Sequence, residues 1–93
     1  MKTIYKYSLG LPHHNLVSDI AIYKGAKIIS AQMQGNDLVV WAIVNPKNSL
    51  KPRTFYVYGT GFEMESYDKK HYEFISTVQT SHGLVWHLFE VFE

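Results

Sequence analysis

The chain has 93 residues, no cysteine, and nine lysines and arginines against eight aspartates and glutamates, a formal net charge of +1. That excludes disulfide scaffolds, thiolate metal centres and catalytic thiols, and it leaves no overall electrostatic pull toward polymeric nucleic acid or an anionic membrane. Aromatic residues make up 15% of the chain and charged ones 18%, so large rings must build the core of one small domain spanning 1–93, and some should meet a partner or ligand.

The N-terminal MKTIYKYSLG carries Lys2 but no apolar run of leader length, and no segment approaches the ~18 residues of a membrane span; the expectation is a cytoplasmic protein. A period of two runs through the chain, and a period of 3.6 is nearly absent. TIYKYSL sets Tyr5, Tyr7 and Leu9 on one face, and GLPHHN breaks the strand at Pro12. LVSDIAIY resumes extended character, and KGAK turns at Gly25. KIISAQMQ predicts a half-buried strand with Ile29, Ala31 and Met33 inward, and Ile28 on the polar side. Gly35-Asn36-Asp37 is a hairpin signal leading into LVVWAIV, which is apolar on both faces and should be central. NPKNSLKP reads as a loop, and RTFYVYG as a strand with Phe55 and Val57 against Thr54, Tyr56 and Tyr58. An acidic loop with Glu63, Glu65 and Asp68 follows, with one helical turn allowed around residues 67–70. YEFISTVQ, the turn TSHG and LVWHLFEVF complete the chain. The sum is an all-β fold, a single small antiparallel β-sandwich or barrel of six to seven strands with little or no helix.

The residues that could carry chemistry are few. Gly59-Thr60-Gly61 could form an anion-binding nest of backbone N–H groups. The longer glycine pattern of a dinucleotide site and the Gly-Lys-Ser/Thr of a P-loop are both missing, however. The plainer reading is a strand end whose glycines take positive φ, so that alanine at either would strain the backbone. Lys47, Lys51 and Arg53 form a basic cluster at the other end of the same strand, ~23 Å away, so that only a second subunit could bring the two together around one phosphate. As surface cations, Lys51 and Arg53 should be replaceable by alanine with little loss of stability. Tyr56 and Tyr58 give the strand aromatic side chains on its second face, which the other sheet, a second subunit or a stacking ligand must cover. His13 and His14 point apart in extended chain, as do His82 and His87, and no ligand spacing for a metal is present. Glu63 and Glu65 read as a solvated acidic pair, and Ser81 beside His82 lacks nucleophile–base geometry.

The blocks KGAKIISAQMQ (24–34), WAIVNP (41–46), RTFYVYGTG (53–61), STVQ (76–79) and LVWHLFE (84–90) resemble, in that order, a family of short uncharacterised proteins from phages and prophages. The resemblance implies a phage origin and a domain of unknown function. With no catalytic or cofactor motif, the reading is a non-enzymatic accessory or counter-defence protein of the host cytoplasm that sequesters an anionic nucleotide-derived immune signal. Tyr56 and Tyr58 would stack on that ligand, and Gly59, Thr60, Gly61, Lys47, Lys51 and Arg53 would hold its phosphate. The alternatives are a protein–protein inhibitor of a host factor and, third, a small hydrolase with a histidine-centred site. A homodimer or larger assembly is expected, formed through one sheet face or the closing strand LFEVFE.

Overall fold

LVVWAIV, the segment apolar on both faces, lies in the middle of a sheet. In the computed structural model, which describes residues 1–92, seven strands and no helix are present. β1 (Thr3–Gly10), β4 (Asp37–Val44) and β3 (Lys27–Gln34) form one antiparallel sheet in the order β1-β4-β3. β2 (Leu16–Tyr23), β5 (Leu50–Gly59), β7 (Val85–Phe92) and β6 (His71–Gln79) form the other, in the order β2-β5-β7-β6. The two sheets make a sandwich. Alternate residues of β4 (Leu38, Val40, Ala42 and Val44) meet Phe55, Val57, Leu88 and Ile22 from the opposing sheet, and all of them are buried. Fully burying side chains of this size is worth ~1.5–3 kcal/mol each, so this layer holds the fold together.

Turn chemistry sets the register. Gly35 (φ 60°) and Asn36 connect β3 to β4 in a two-residue hairpin that pairs Gln34 with Asp37. Positive φ at the first of two turn positions is the II′ geometry, which matches the twist of the flanking strands. Gly25 (φ 82°) closes the turn from β2 to β3, which carries the chain from one sheet to the other.

Three elements depart from the reading of the sequence. In β3 the register against β4 shifts between Ile28 and Ser30. This bulge turns Ile28 onto the core with Met33 and Ala31, and leaves Ile29 43% exposed. A single extra residue reverses the inside-outside parity on one side of itself. The loop before β5 is shorter than NPKNSLKP suggests, because β5 begins at Leu50 and includes Pro52. Pro52 is tolerated there because it pairs with Ala21 on one side, while pairing with β7 begins only at Thr54. The closing strand β7 is flanked on both sides, by β5 and β6. Its backbone edge is therefore taken, and a second copy could not pair with it there.

No helix among the described residues is long and apolar enough to cross a membrane.

Candidate functional site

The aromatic face of β5 is covered by the protein's own chain. Residues 60–70 cross it, held by hydrogen-bonded turns at Met64–Tyr67 and Ser66–Lys69 rather than by a helical turn. Below them Tyr58, Tyr72 and Phe89 pack edge to face or tilted, with centroids 5.7–6.1 Å apart. Tyr67 leans on Tyr72 from the loop at 5.4 Å. Hydroxyls knit the layer: Tyr58 Oη lies 2.8 Å from Tyr72 Oη, which lies 2.5 Å from Ser66 Oγ. Lys70 Nζ donates to Tyr56 Oη at 2.9 Å. Burial, reinforced by the hydrogen bond with Tyr72, pushes the Tyr58 phenol up to about 12. Tyr58 is only 4% exposed, so it offers no free ring face for a ligand to stack on. The covering that the sequence reading sought in another sheet, subunit or ligand comes from the loop read as acidic and solvated.

Gly59, Thr60 and Gly61 form a turn closed by the Phe62 N–H donating to the Gly59 carbonyl at 3.3 Å. Gly61 has φ 86° and so carries the positive φ of the turn, whereas Gly59 does not. Gly59 is required for a different reason. A Cβ there would lie 2.8 Å from Phe62 Cδ2 and 3.1 Å from Trp86 Cζ3, so two rings close over a position with no room for a side chain. Thr60 Oγ1 lies 2.7 Å from His87 Nε2, and Thr77 Oγ1 2.9 Å from His87 Nδ1. Both ring nitrogens of His87 are thus engaged by hydroxyls, which ties the turn to β6 and β7. The Gly59 N–H is directed at His14 Nδ1 at 3.3 Å, and the His14 ring stacks on Phe62 at 4.3 Å. With that amide engaged and the Phe62 amide closing the turn, two of its N–H groups already have acceptors within the fold.

Arg53 also has a task within the fold. It follows the inward parity of Phe55 and Val57, and its Nε and Nη2 donate to the two carboxylate oxygens of Glu90 at 2.5 and 2.7 Å. Its Nη1 donates to the Ala26 carbonyl at 2.6 Å. Glu90 sits opposite Phe55 on β7, with its side chain 7% exposed against 22% for Arg53. This bidentate pair clamps the four-stranded sheet to the turn that enters β3. The expectation that Arg53 is a dispensable surface cation therefore gives way to a structural role.

Lys47 and Lys51 are not brought to the glycine turn, which lies about 26 Å from Lys51 at ~3.3 Å per strand residue. They join other lysines instead. β1 starts, β2 turns into β3, and β4 passes into β5 at the same end of the sandwich, because Thr3 pairs with Val44, Lys27 with Ile43 and Tyr23 with Leu50. Lys2, Lys24 and Lys27 line a hollow of about 430 Å³ there with Asn45 and Asn48, and Lys47 and Lys51 stand on the adjoining loop and strand. Two bonds lock the connections that carry these lysines: the Lys24 N–H donates to the Ser49 carbonyl and Asn48 Nδ2 to the Lys24 carbonyl, both at 2.8 Å. All five lysines are exposed, and none has an ion-pair partner among the described residues. Among the described residues, no carboxylate lines the hollow. A molecule of net charge +1 thus gathers at one end five cations that have no ion-pair partner among the described residues. Sequence reading missed Lys2, Lys24 and Lys27, although successive strands reverse direction from β1 to β5, so that the start of β1 and the β2–β3 and β4–β5 junctions share an end.

No group of three or more His, Asp or Glu side chains among the described residues could hold a metal ion. Comparison with protein families finds that the model of a domain of unknown function (DUF7352) matches residues 1–93. Neither a curated protein nor a solved structure matches the chain.

Proposed function

Because the chain belongs to the DUF7352 family, a domain of unknown function that brings no reaction with it, we propose from the site alone that the protein is a non-enzymatic binding module for an anionic, phosphate-bearing small molecule, held at the lysine end. The observation that carries this reading is the hollow lined by Lys2, Lys24 and Lys27, with no carboxylate of the described residues in its lining, and flanked by Lys47 and Lys51. Five like charges repel one another, and an anion relieves that repulsion as it binds. Ammonium–phosphate hydrogen bonds are worth ~1.5–3 kcal/mol each when well formed, and exposure to solvent makes them weaken with added salt. Asn45 and Asn48 bring side-chain amides to the same hollow. The resemblance to phage and prophage proteins supports reading the ligand as a nucleotide-derived immune signal of the host cytoplasm.

The test is thermal stabilisation at low salt by ATP, ADP-ribose and a cyclic dinucleotide. Binding to the folded state alone raises its stability by RT ln(1 + [L]/Kd), so at least one of these should raise the melting temperature. The Lys24→Glu/Lys27→Glu double variant should abolish the shift. If none stabilises, or if charge reversal leaves the shift intact, the lysine end is not the site. Absence of any shift would favour a second reading, direct inhibition of a host protein. That reading has its own support in Phe74 (60% exposed) and Ile29, which flank one hollow where the bulges of β3 and β6 face each other.

A further inference from the structure

The strands at the margins of the two sheets are β1 and β3 in one, β2 and β6 in the other. A free strand edge is a template for another strand, and proteins blunt it with bulges, lysines or prolines. β1, β3 and β6 each carry a bulge, at Ser8/Gly10, Ile28/Ser30 and Phe74/Ser76. β2 carries none. It pairs with β5 without a break from Leu16 to Tyr23, and LVSDIAIY contains neither lysine nor proline. Its single charge, Asp19, is drawn back over its own sheet, because Thr54 Oγ1 of β5 donates to the carboxylate at 2.5 Å.

The hydrogen bonds of β2 fix which groups its edge presents. The Lys24 N–H donates to the Ser49 carbonyl at 2.8 Å, one step beyond the Tyr23–Leu50 pair. In an antiparallel ladder that bond makes Tyr23–Leu50 a non-hydrogen-bonded pair, and with it every second pair: Ala21–Pro52, Asp19–Thr54 and Val17–Tyr56. Pro52, with no N–H to give β2, suits such a pair. The N–H and C=O of Val17, Asp19 and Ala21 therefore point away from β5, and no hydrogen bond among the described residues uses them. Tyr23 adds its N–H, while its carbonyl accepts from Ala26. All three of Val17, Asp19 and Ala21 are exposed, so nothing in the chain covers this edge.

We propose that β2 pairs with β2 of a second copy, antiparallel about a two-fold axis at Ile20, which joins the two four-stranded sheets into one. Ile20 is the midpoint of Val17–Tyr23, so this register uses every outward-pointing group. It sets Asp19 opposite the second copy's Ala21, and the exposed Val17 opposite the second copy's Tyr23. A joint centred on Asp19 would put two carboxylates face to face, which destabilises a sheet. The charges also favour a second copy as the occupant. Antiparallel pairing carries the lysine end of each copy, at Lys24, to the start of the other's β2. There Glu63 follows Phe62, whose ring stacks on His14 at 4.3 Å. Parallel pairing would bring the two lysine ends together. The joint needs no anion, so it can fail without the lysine-end reading, and the reverse.

Sedimentation of the intact chain at about 10–200 µM should show a reversible species of twice the 10.8 kDa protomer mass, since a joint between eight-residue edges is small for a specific interface and micromolar in strength. In hydrogen exchange, the amides of Val17, Asp19, Ala21 and Tyr23 should slow as the protein is concentrated, because only the second copy offers them acceptors. Ala21→Asp opposes two carboxylates at both symmetry-related places and should weaken the dimer about tenfold or more. Ala21→Lys faces an ammonium to Asp19 and should leave the dimer as strong or stronger. Both changes fall on an exposed residue and should keep the circular dichroism of the parent. The proposal is overturned if only a monomer sediments at the highest concentration, or if a dimer forms while those four amides stay unprotected. It is equally overturned if Ala21→Asp and Ala21→Lys affect the dimer alike.

Discussion

Replacing Arg53 with alanine should unfold this protein at a much lower temperature, although the residue belongs to a basic cluster that reads as surface. The guanidinium gives two bonds to the Glu90 carboxylate and one to the Ala26 carbonyl. Its loss would leave Glu90, 7% exposed, as a charge on the inner face of a sandwich opposite Phe55. Breaking a buried pair by removing one partner costs ~3–5 kcal/mol. Arg53 keeps 22% of its side chain in solvent, and water entering there would hydrate Glu90, so the lower end, about 3 kcal/mol, applies. For a domain of this size each kcal/mol moves the melting temperature by ~4–8 °C, which makes the expected drop about 12–24 °C. Urea denaturation gives the free energy directly, with Lys51→Ala, an exposed neighbour, expected within ~0.5 kcal/mol of the parent. Arg53→Met combined with Glu90→Leu should regain most of the loss, because a well-packed apolar pair is often as stable as the ion pair it replaces. An Arg53→Ala variant within ~0.5 kcal/mol of the parent would refute the clamp. So would a double variant as unstable as the sum of the two single ones.

Two further predictions concern the aromatic layer and its turn. Gly59→Ala and Gly61→Ala should both destabilise, the first by ~1–3 kcal/mol through crowding and the second by ~1–2 kcal/mol through strained φ. Denaturation of the pairs with Phe62→Ala tells the causes apart: removing that ring should rescue most of the Gly59 loss and none of the Gly61 loss. Tyr58, buried and raised to about 12 from an ordinary 10.0, keeps its proton in the folded state over a range where the unfolded chain has released it. Its contribution is therefore complete below pH 10 and lost between pH 10 and 12, a fall of about 2–3 kcal/mol in stability. Tyr7, also raised by burial, adds in the same direction. Tyr58→Phe should flatten most of that alkaline decline in a series of denaturation curves, and an unchanged decline would remove Tyr58 as its source.

Period-two alternation made the strands legible because nearly every strand has one dry and one wet face, and the turn residues at Gly25 and Gly35 marked where they stop. The bulge at Ile28–Ser30 was not legible, since a bulge changes parity without changing composition. Arg53 and Glu90 sit 37 residues apart in the chain, and nothing in the local pattern around either signals an inward-facing charge pair. The same holds for the loop over the aromatic face. Glu63, Glu65 and Asp68 gave it the look of a solvated segment, while Phe62, Met64, Ser66 and Tyr67 do the covering. For the candidate site, Lys47 and Lys51 were legible as a basic cluster at the end of β5 opposite the glycine turn, but their neighbours from other strands were not. Strand direction, which follows from counting junctions, puts them with Lys2, Lys24 and Lys27 and far from the glycine turn.

The most direct test of where an anion binds is a titration of ¹⁵N-labelled protein with pyrophosphate at low ionic strength, followed through the backbone amides. Binding at the lysine end predicts saturable shifts confined to residues 2–3, 24–27 and 45–51, disappearing as salt is raised, with residues 56–62 unmoved. Shifts centred on Gly59, Thr60 and Gly61, or none at any site up to millimolar pyrophosphate, would contradict it.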